Sequence, residues 1–208
     1  MPERARAMRT AVPALVTAGL LLTACGTTPK PDDRAAGAGP RKTTAPAPAA
    51  VATAAATLGG SGTACALPVS FALAEGWEPK AVKDPENPEF AALTRQGPAV
   101  VRCEVDAKPA GNIGYLRVWT APKGPARAAL EGFVRAEKGS SAVAFRETRA
   151  GALPATEVTY SVRDKEERAF AVATPEGTVI VHLGGLDTDE HRAMLPAYEL
   201  AKRTTKAG

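Results

Sequence analysis

Residues 156–183 decide the fold, and they read TEVTYSVRDKEERAFAVATPEGTVIVHL. Apolar and polar side chains alternate over 156–162 and again over 170–174, which predicts two half-buried strands. The charged segment 163–167 is expected to form the turn between them. After a Pro-Glu-Gly turn, residues 179–183 form an unbroken apolar run, which indicates a central strand covered on both faces.

The same two-residue period continues on the N-terminal side of this stretch. The alternation predicts further strands at 69–73, 90–93, 101–105, 116–120 and 143–149. Residues 75–88 contain several prolines and are expected to form a loop or an edge hairpin. The sheet is therefore expected to be built from neighbouring antiparallel strands joined by short turns.

Two segments have the helical period instead. Residues 125–138 place Ala129, Leu130, Phe133 and Val134 on one face, which predicts a helix between the two halves of the sheet. A closing helix is expected after Thr188, which we interpret as its N-cap. Strands, a helix, more strands and a final helix predict an α+β domain over residues 65–208, with about two helices packed on an antiparallel sheet.

The N-terminal part of the chain is not domain-like. Residues 1–24 have basic residues, a short apolar run and small residues at the end, which is typical of a signal peptide. Residues 25–64 are rich in Ala, Pro, Thr and Gly and have no aromatic residue, so we expect a disordered tether. As a flexible coil of about 35 residues, the tether would span on the order of 30 Å.

The signal peptide ends in Leu22-Thr23-Ala24-Cys25. This LTAC ending resembles the lipobox of bacterial lipoproteins. The resemblance implies cleavage before Cys25 and attachment of lipid to its thiol. Two or more acyl chains anchor a protein stably in a bilayer, so the expected location is the outer face of the cytoplasmic membrane, with the membrane itself as a partner.

The net charge of +4 comes from the N-terminal part of the chain. From Cys65 onward there are 19 Lys plus Arg and 19 Asp plus Glu, so the predicted domain is neutral. A nucleic-acid-binding domain is usually strongly basic. Nucleic acid is therefore not an expected partner.

Cys65 and Cys103 remain as a pair once Cys25 is assigned to lipid. In an oxidising compartment a disulfide between them is expected. No histidine or third cysteine lies at a spacing that would make the pair a metal site. Neither a metal nor a cofactor is predicted.

The order of elements, the Gly76-Trp77 turn after the first strand and the closing Pro196-Ala197-Tyr198 helix resemble the PsbP-like fold. More narrowly, they resemble the LpqN-type lipoproteins of actinobacteria. The resemblance covers about residues 65–206. It implies an accessory, non-catalytic module at the cell envelope.

Several residues are weighed as sites. His182 lies inside the predicted apolar strand and is expected to be a hydrogen-bonded structural histidine, whereas His191 is expected to face solvent. Residues 187–190 (DTDE) are acidic, and we interpret them as a helix start rather than as a cation site. Gly184-Gly185 lacks the remaining glycines of a phosphate-binding loop, so we expect a simple turn.

Trp77, Tyr115 and Trp119 are the aromatic candidates for a ligand groove, because Trp and Tyr are enriched at binding hot spots. The leading hypothesis is a non-catalytic binding or scaffolding domain for an envelope protein or an apolar ligand. One alternative is a lipid or glycan carrier with an apolar pocket beside Trp119 and Phe133. Another is an envelope hydrolase in which His182, a hydroxyl and a carboxylate converge.

Overall fold

The structure is a computed structural model, and it describes residues 50–208. The predicted signal peptide, Cys25 and most of the predicted tether lie outside the described residues. Within the described part, no helix combines the length and the apolar character that crossing a membrane requires.

Eleven strands and two α-helices make up the described part. In chain order they are β1 Ala54–Leu58, β2 Val69–Ala74, β3 Glu78–Ala81, β4 Arg95–Gln96, β5 Ala99–Asp106, β6 Gly114–Ala121, α1 Ala126–Ala136, β7 Ser140–Ala150, β8 Leu153–Val162, β9 Lys165–Ala173, β10 Thr178–Gly185, α2 Thr188–Thr204 and β11 Lys206–Ala207. Two short 3₁₀ helices, Pro88–Thr94 and Lys108–Ala110, lie between strands. The α+β class expected from the sequence is confirmed.

The larger sheet has the strand order β3-β5-β6-β10-β9-β8-β7, and β4 also pairs with β5. All of its pairings are antiparallel. β10 lies between β6 and β9, with His182 opposite Arg117 on one side and Ala169 on the other. The predicted central strand is therefore confirmed.

Each face of the larger sheet carries its own core. Val179, Val181 and Leu183 of β10 pack into a core with α2 and β2, while Ile180 packs into a second core with α1. Both faces of β10 are thus covered over residues 179–183, and this explains the apolar run. The second, smaller sheet has the order β1-β2-β11 and lies on the α2 side.

Cys65 and Cys103 form a disulfide with their Cα atoms 5.9 Å apart. Cys65 lies between β1 and β2 and Cys103 lies in β5, so the bond joins the β1–β2 connection of the small sheet to the large sheet. Both cysteines are buried in the core on the α2 side.

The predicted start of the domain at residue 65 is wrong. Residues 54–58, expected to belong to the disordered tether, form β1, which pairs antiparallel with β2. Only Leu58 of this strand is buried. Backbone hydrogen bonds to β2 hold the strand in place, and such bonds leave little trace in an Ala-rich sequence with exposed side chains.

The predicted short strand at 90–93 is also wrong, because these residues belong to the 3₁₀ helix Pro88–Thr94. The side chain of Asn87 caps this helix by accepting a hydrogen bond from the Glu89 N–H at 2.9 Å. Pro88 follows at the first position, where its missing N–H costs nothing. None of the residues in the 3₁₀ helix is buried.

Candidate binding groove

A groove of about 540 Å³ opens on the α1 side of the larger sheet, beside the end of α1. Its volume falls within the range of about 300–1,000 Å³ that is usual for small-molecule sites. The lining includes part of the sheet, Glu137 after α1, Leu93 of the 3₁₀ helix Pro88–Thr94, and the loop residues Ile113 and Leu186. Alternation along two central strands determines which side chains form its floor.

Along β6, residues Tyr115, Arg117 and Trp119 point to the groove, while Leu116 and Val118 pack into the opposite core. The register between β6 and β10 places His182 beside Arg117 and Gly184 beside Tyr115. The floor is therefore polar and aromatic at one end and has no side chain at residue 184.

Gly184 keeps this part of the floor open. A β-carbon at residue 184 would lie 3.5 Å from Oε2 of Glu167 and 3.5 Å from Cε1 of His182, which is ordinary van der Waals contact. The backbone of Gly184 does not have a positive φ angle. Neither backbone geometry nor a close approach requires glycine at this position, so the main effect of the missing side chain is space in the groove.

His182 is buried and hydrogen-bonded, as the sequence predicted. Its Nε2 donates to Oε2 of Glu167 at 3.0 Å and lies 3.1 Å from the hydroxyl of Tyr160. Tyr160 and Glu167 are opposite each other in the β8–β9 pair, and β10 adjoins β9. Three adjacent strands thus position this polar cluster.

Neighbouring groups stabilise the ionised carboxylate of Glu167. Burial by itself raises the pKa of Glu167, but the hydrogen bond from His182 and the charges of His182 and Lys165 outweigh burial and lower the pKa. Nζ of Lys165 lies 3.5 Å from Oε1 of Glu167. Burial raises the pKa of Tyr160 well above its ordinary value, so the phenol stays protonated.

Arg117 is fixed in the groove by two contacts. Its Nε donates to Oε2 of Glu104 at 2.8 Å, and its guanidinium lies 5.0 Å from the centre of the Tyr115 ring. Both contacts restrain the long side chain. Arg117 therefore presents its guanidinium in a defined orientation at the groove.

The mouth of the groove is apolar. Leu93, Ile113 and Leu186 line it, and they are 78%, 57% and 60% exposed. The backbone N–H of Leu186 donates to the carbonyl of Ile113 at 3.1 Å, so two of these side chains come from loops held together. Exposed apolar side chains around a polar floor are typical of a binding site for a partly apolar ligand.

The three predicted aromatic residues separate into two groups. Tyr115 and Trp119 line the groove together. Trp77 does not, because it is buried in the core on the α2 side. Trp119 is itself 6% exposed and packs edge-to-face on Phe133 with ring centres 5.3 Å apart. Its indole nitrogen has no hydrogen-bond partner within residues 50–208.

The prediction that His191 faces solvent is wrong, because His191 is 2% exposed. With Met194 and Tyr198 it forms a stripe at helical spacing on the buried face of α2. Burial lowers the pKa of His191. Its Nδ1 has no hydrogen-bond partner in the part of the chain that the structure describes.

The acidic segment before α2 caps the helix, as predicted, although the capping residue is Asp187 rather than Thr188. The Asp187 carboxylate accepts a hydrogen bond from the Glu190 N–H at 2.9 Å. Gly184 and Gly185 were expected to form a turn, but they are the last residues of β10. Pairing with β6 continues to Gly185, opposite Gly114.

The described groove residues do not include a serine, threonine or cysteine beside His182. Ser161 and Thr159 line a separate cavity of about 200 Å³. No serine or threonine hydroxyl within residues 50–208 hydrogen-bonds to His182 or His191.

The sequence reasoning missed most of the groove. It did not identify Arg117, Glu167 or the exposed residues at the mouth. One signal was present, since Ile113 is an apolar residue inside the Gly-Asn-Ile-Gly turn at 111–114, where polar residues are usual. Ile113 is part of the exposed apolar group at the mouth of the groove, and contiguous exposed apolar surface often marks an interaction site.

Comparisons with known proteins identify the family. The solution structure of cyanobacterial PsbP (CyanoP) from Synechocystis sp. PCC 6803 is similar to this chain, with 11% sequence identity and a TM-score of 0.47. The match covers 73% of this chain and 97% of that chain. No curated protein matches the chain. A family model described as uncharacterised lipoprotein matches residues 34–205, and the chain therefore belongs to this lipoprotein family.

Proposed function

We propose that the protein is a membrane-anchored lipoprotein whose domain binds a ligand, without catalysis, outside the cytoplasmic membrane. The LTAC ending and membership of a lipoprotein family support an anchor at Cys25. A flexible tether would let the domain move above the membrane surface.

The binding role is supported by the open floor and the apolar mouth of the groove. Its floor lacks a side chain at Gly184, and its mouth carries three exposed apolar residues, Leu93, Ile113 and Leu186. Exposing these residues to water is unfavourable by roughly 25 cal/mol per Å² of apolar surface. A ligand that covers them would recover this free energy.

A lipid carrier is the second candidate, and the apolar mouth favours it. The cavity differs from the apolar pocket that such a carrier was expected to have, because Arg117, Lys165 and His182 line it. A hydrolase has less support, since the described residues of the groove offer a histidine and a carboxylate but no serine, threonine or cysteine.

The anchor is tested by metabolic labelling with an alkyne-bearing palmitate analogue. The wild-type protein should carry the label and fractionate with membranes, and the Cys25→Ser variant should carry none. Equal labelling of both forms would place the lipid elsewhere and contradict the assigned anchor.

The groove is tested by photocrosslinking in cells with a photoreactive amino acid in place of Leu186. Val143, which is also exposed but does not line the groove, provides the control position. A discrete adduct at 186 that is absent at 143, and that is lost when Gly184→Leu is added, supports the binding role. The same adducts at both positions would refute it.

A further inference from the structure

The terminal amino groups of Arg117 make no hydrogen bond within the described residues and can bind a ligand. Among these residues, Glu104 occupies only the Nε of Arg117. The side chain is 41% exposed and lines the groove. A guanidinium that is held by its Nε and by an aromatic ring presents its terminal N–H groups to a carboxylate or phosphate with little loss of entropy.

Two further cations line the same groove, Arg95 and Lys165. Arg95 is exposed and has no carboxylate within 4.0 Å in the described part of the chain. The carboxylates that line the groove are Glu137 and Glu167. Glu167 is already engaged by His182 and Lys165, and among the described residues Glu137 forms no ion pair with Arg95 or Arg117. Arg95 and the terminal amino groups of Arg117 are therefore available to an anion.

The groove also requires a ligand with an apolar part. The exposed side chains of Leu93, Ile113 and Leu186 surround the same cavity that Arg117 lines. An inorganic anion would satisfy the guanidinium and leave these side chains in water. A pure hydrocarbon would cover them and leave the terminal amino groups of Arg117 desolvated without a hydrogen-bond partner, which is costly.

We propose that the groove binds a single anionic amphiphile, a phosphate or carboxylate group attached to an alkyl chain. The head group binds the terminal amino groups of Arg117, with Arg95 contributing charge, and the chain lies against the apolar mouth. This proposal rests on the proposed binding role and names the ligand class of that groove.

The test is isothermal titration calorimetry of the full chain carrying Cys25→Ser, so that no covalently attached lipid competes with the probe. Octyl phosphate, kept below its critical micelle concentration, is the probe. Octyltrimethylammonium has the same chain with the opposite charge, and inorganic phosphate has the head without the chain. Octyl phosphate should bind at least tenfold more tightly than either, a difference of 1.4 kcal/mol or more.

Arg117→Gln should weaken octyl phosphate binding about tenfold, as expected for the loss of a charge-assisted bidentate contact. Arg102→Gln is the matched control, because Arg102 is 38% exposed, pairs with Asp84 and does not line the groove. Arg117→Lys keeps the charge but lacks the paired N–H donors of the guanidinium, and it should also bind octyl phosphate more weakly. Arg117→Lys serves as the second variant if Arg117→Gln impairs folding.

Several outcomes would overturn the proposal. Equal binding of the cationic amphiphile, or octyl phosphate binding that Arg117→Gln leaves unchanged, contradicts recognition of an anion. Inorganic phosphate binding as tightly as octyl phosphate contradicts the role of the chain. Binding to phosphatidylglycerol vesicles without binding to octyl phosphate indicates adsorption to a surface. If the photocrosslink at residue 186 depends on Gly184 and octyl phosphate does not bind, the groove is a site for another ligand class.

Discussion

The α-carbon of Gly184 lies beside the carboxylate of Glu167, so that a β-carbon at residue 184 would be 3.5 Å from Oε2 of Glu167. The glycine is on β10 and the glutamate is on β9. A small side chain would fit here without displacing the backbone, and a large one would enter the groove. Substitution of residue 184 should therefore change the space in the groove with little effect on the free energy of unfolding.

We predict that Gly184→Ala changes the free energy of unfolding by no more than about 0.5 kcal/mol, since neither strain nor overlap opposes it. Gly114→Ala is the contrasting variant, because a β-carbon there would overlap Met194 and the carbonyl of Gly184. Overpacking of that kind costs about 1–3 kcal/mol. Urea denaturation of both variants gives the two values, and equal losses would contradict the described environment of residue 184.

Glu157→Gln should destabilise the protein by about 3 kcal/mol, because it breaks a buried ion pair. The carboxylate of Glu157 is fully buried and accepts hydrogen bonds at 2.9 Å from both Nζ of Lys202 and the hydroxyl of Tyr198. These contacts join α2 to β8. Urea denaturation at neutral pH measures the loss.

The matched control for this ion pair is Glu199→Gln. Glu199 also contacts Lys202, at 2.9 Å, but its side chain is 40% exposed. An exposed pair is worth about 0–1 kcal/mol, so this variant should lose no more than that. If the two variants are equally stable, Glu157 does not anchor α2.

His191→Leu should flatten the pH dependence of stability between pH 7 and 5. Burial lowers the pKa of His191 in the folded protein, whereas the unfolded chain has a histidine pKa of about 6.5. The unfolded state therefore binds the proton more readily, and stability is lost as pH falls below about 6.5. The charges of Glu167, Arg168, Glu166 and His182 act on the same ring, and the net direction is downward.

The measurement is a series of urea denaturation curves at stepwise pH for the wild type and for His191→Leu. Leucine is close in size and leaves no unpaired Nδ1, so the variant should be about as stable as the wild type at pH 7.5. An unchanged loss of stability on acidification would show that His191 is not the group responsible.

Replacement of both Cys65 and Cys103 by alanine should lower the free energy of unfolding by about 4 kcal/mol, from the entropy of a loop that closes over about 38 residues. Chemical denaturation of the wild type with and without a reductant provides the comparison. The reductant should have no effect on the double variant. A wild-type protein whose stability does not change on reduction would contradict a structural role for this bond.

The sequence was informative wherever side-chain periodicity carried the signal. The alternation over 156–162 and the apolar run at 179–183 correspond to β8 and β10, since most buried positions of these strands had an apolar residue. Thr156, Glu157 and His182 are the buried polar exceptions within these two stretches. β1 gave no such signal, because backbone pairing rather than side-chain burial holds it. His191 was assigned to the wrong face because its side chain is polar, although its spacing to Met194 and Tyr198 places it on the buried face of α2.

The groove could not be predicted for a related reason. It requires β6, β8, β9 and β10 to bring Arg117, Glu167, His182 and Gly184 together, and their order in the sheet differs from their order in the chain. The sequence identified His182 as a hydrogen-bonded strand residue, but its partners come from strands that no local pattern connects to it. Long-range register is not encoded in a short window of sequence.

The most direct test of the binding role is native mass spectrometry of the protein released from membranes. The wild type should retain a non-covalent ligand, and Gly184→Leu, which fills the floor of the groove, should retain none. Gly124→Leu is the matched control, because a β-carbon at Gly124 meets no atom within 4 Å and Gly124 does not line the groove. Ligand retained by the wild type and by Gly124→Leu but lost from Gly184→Leu is the predicted result, and equal retention by all three proteins would contradict the account.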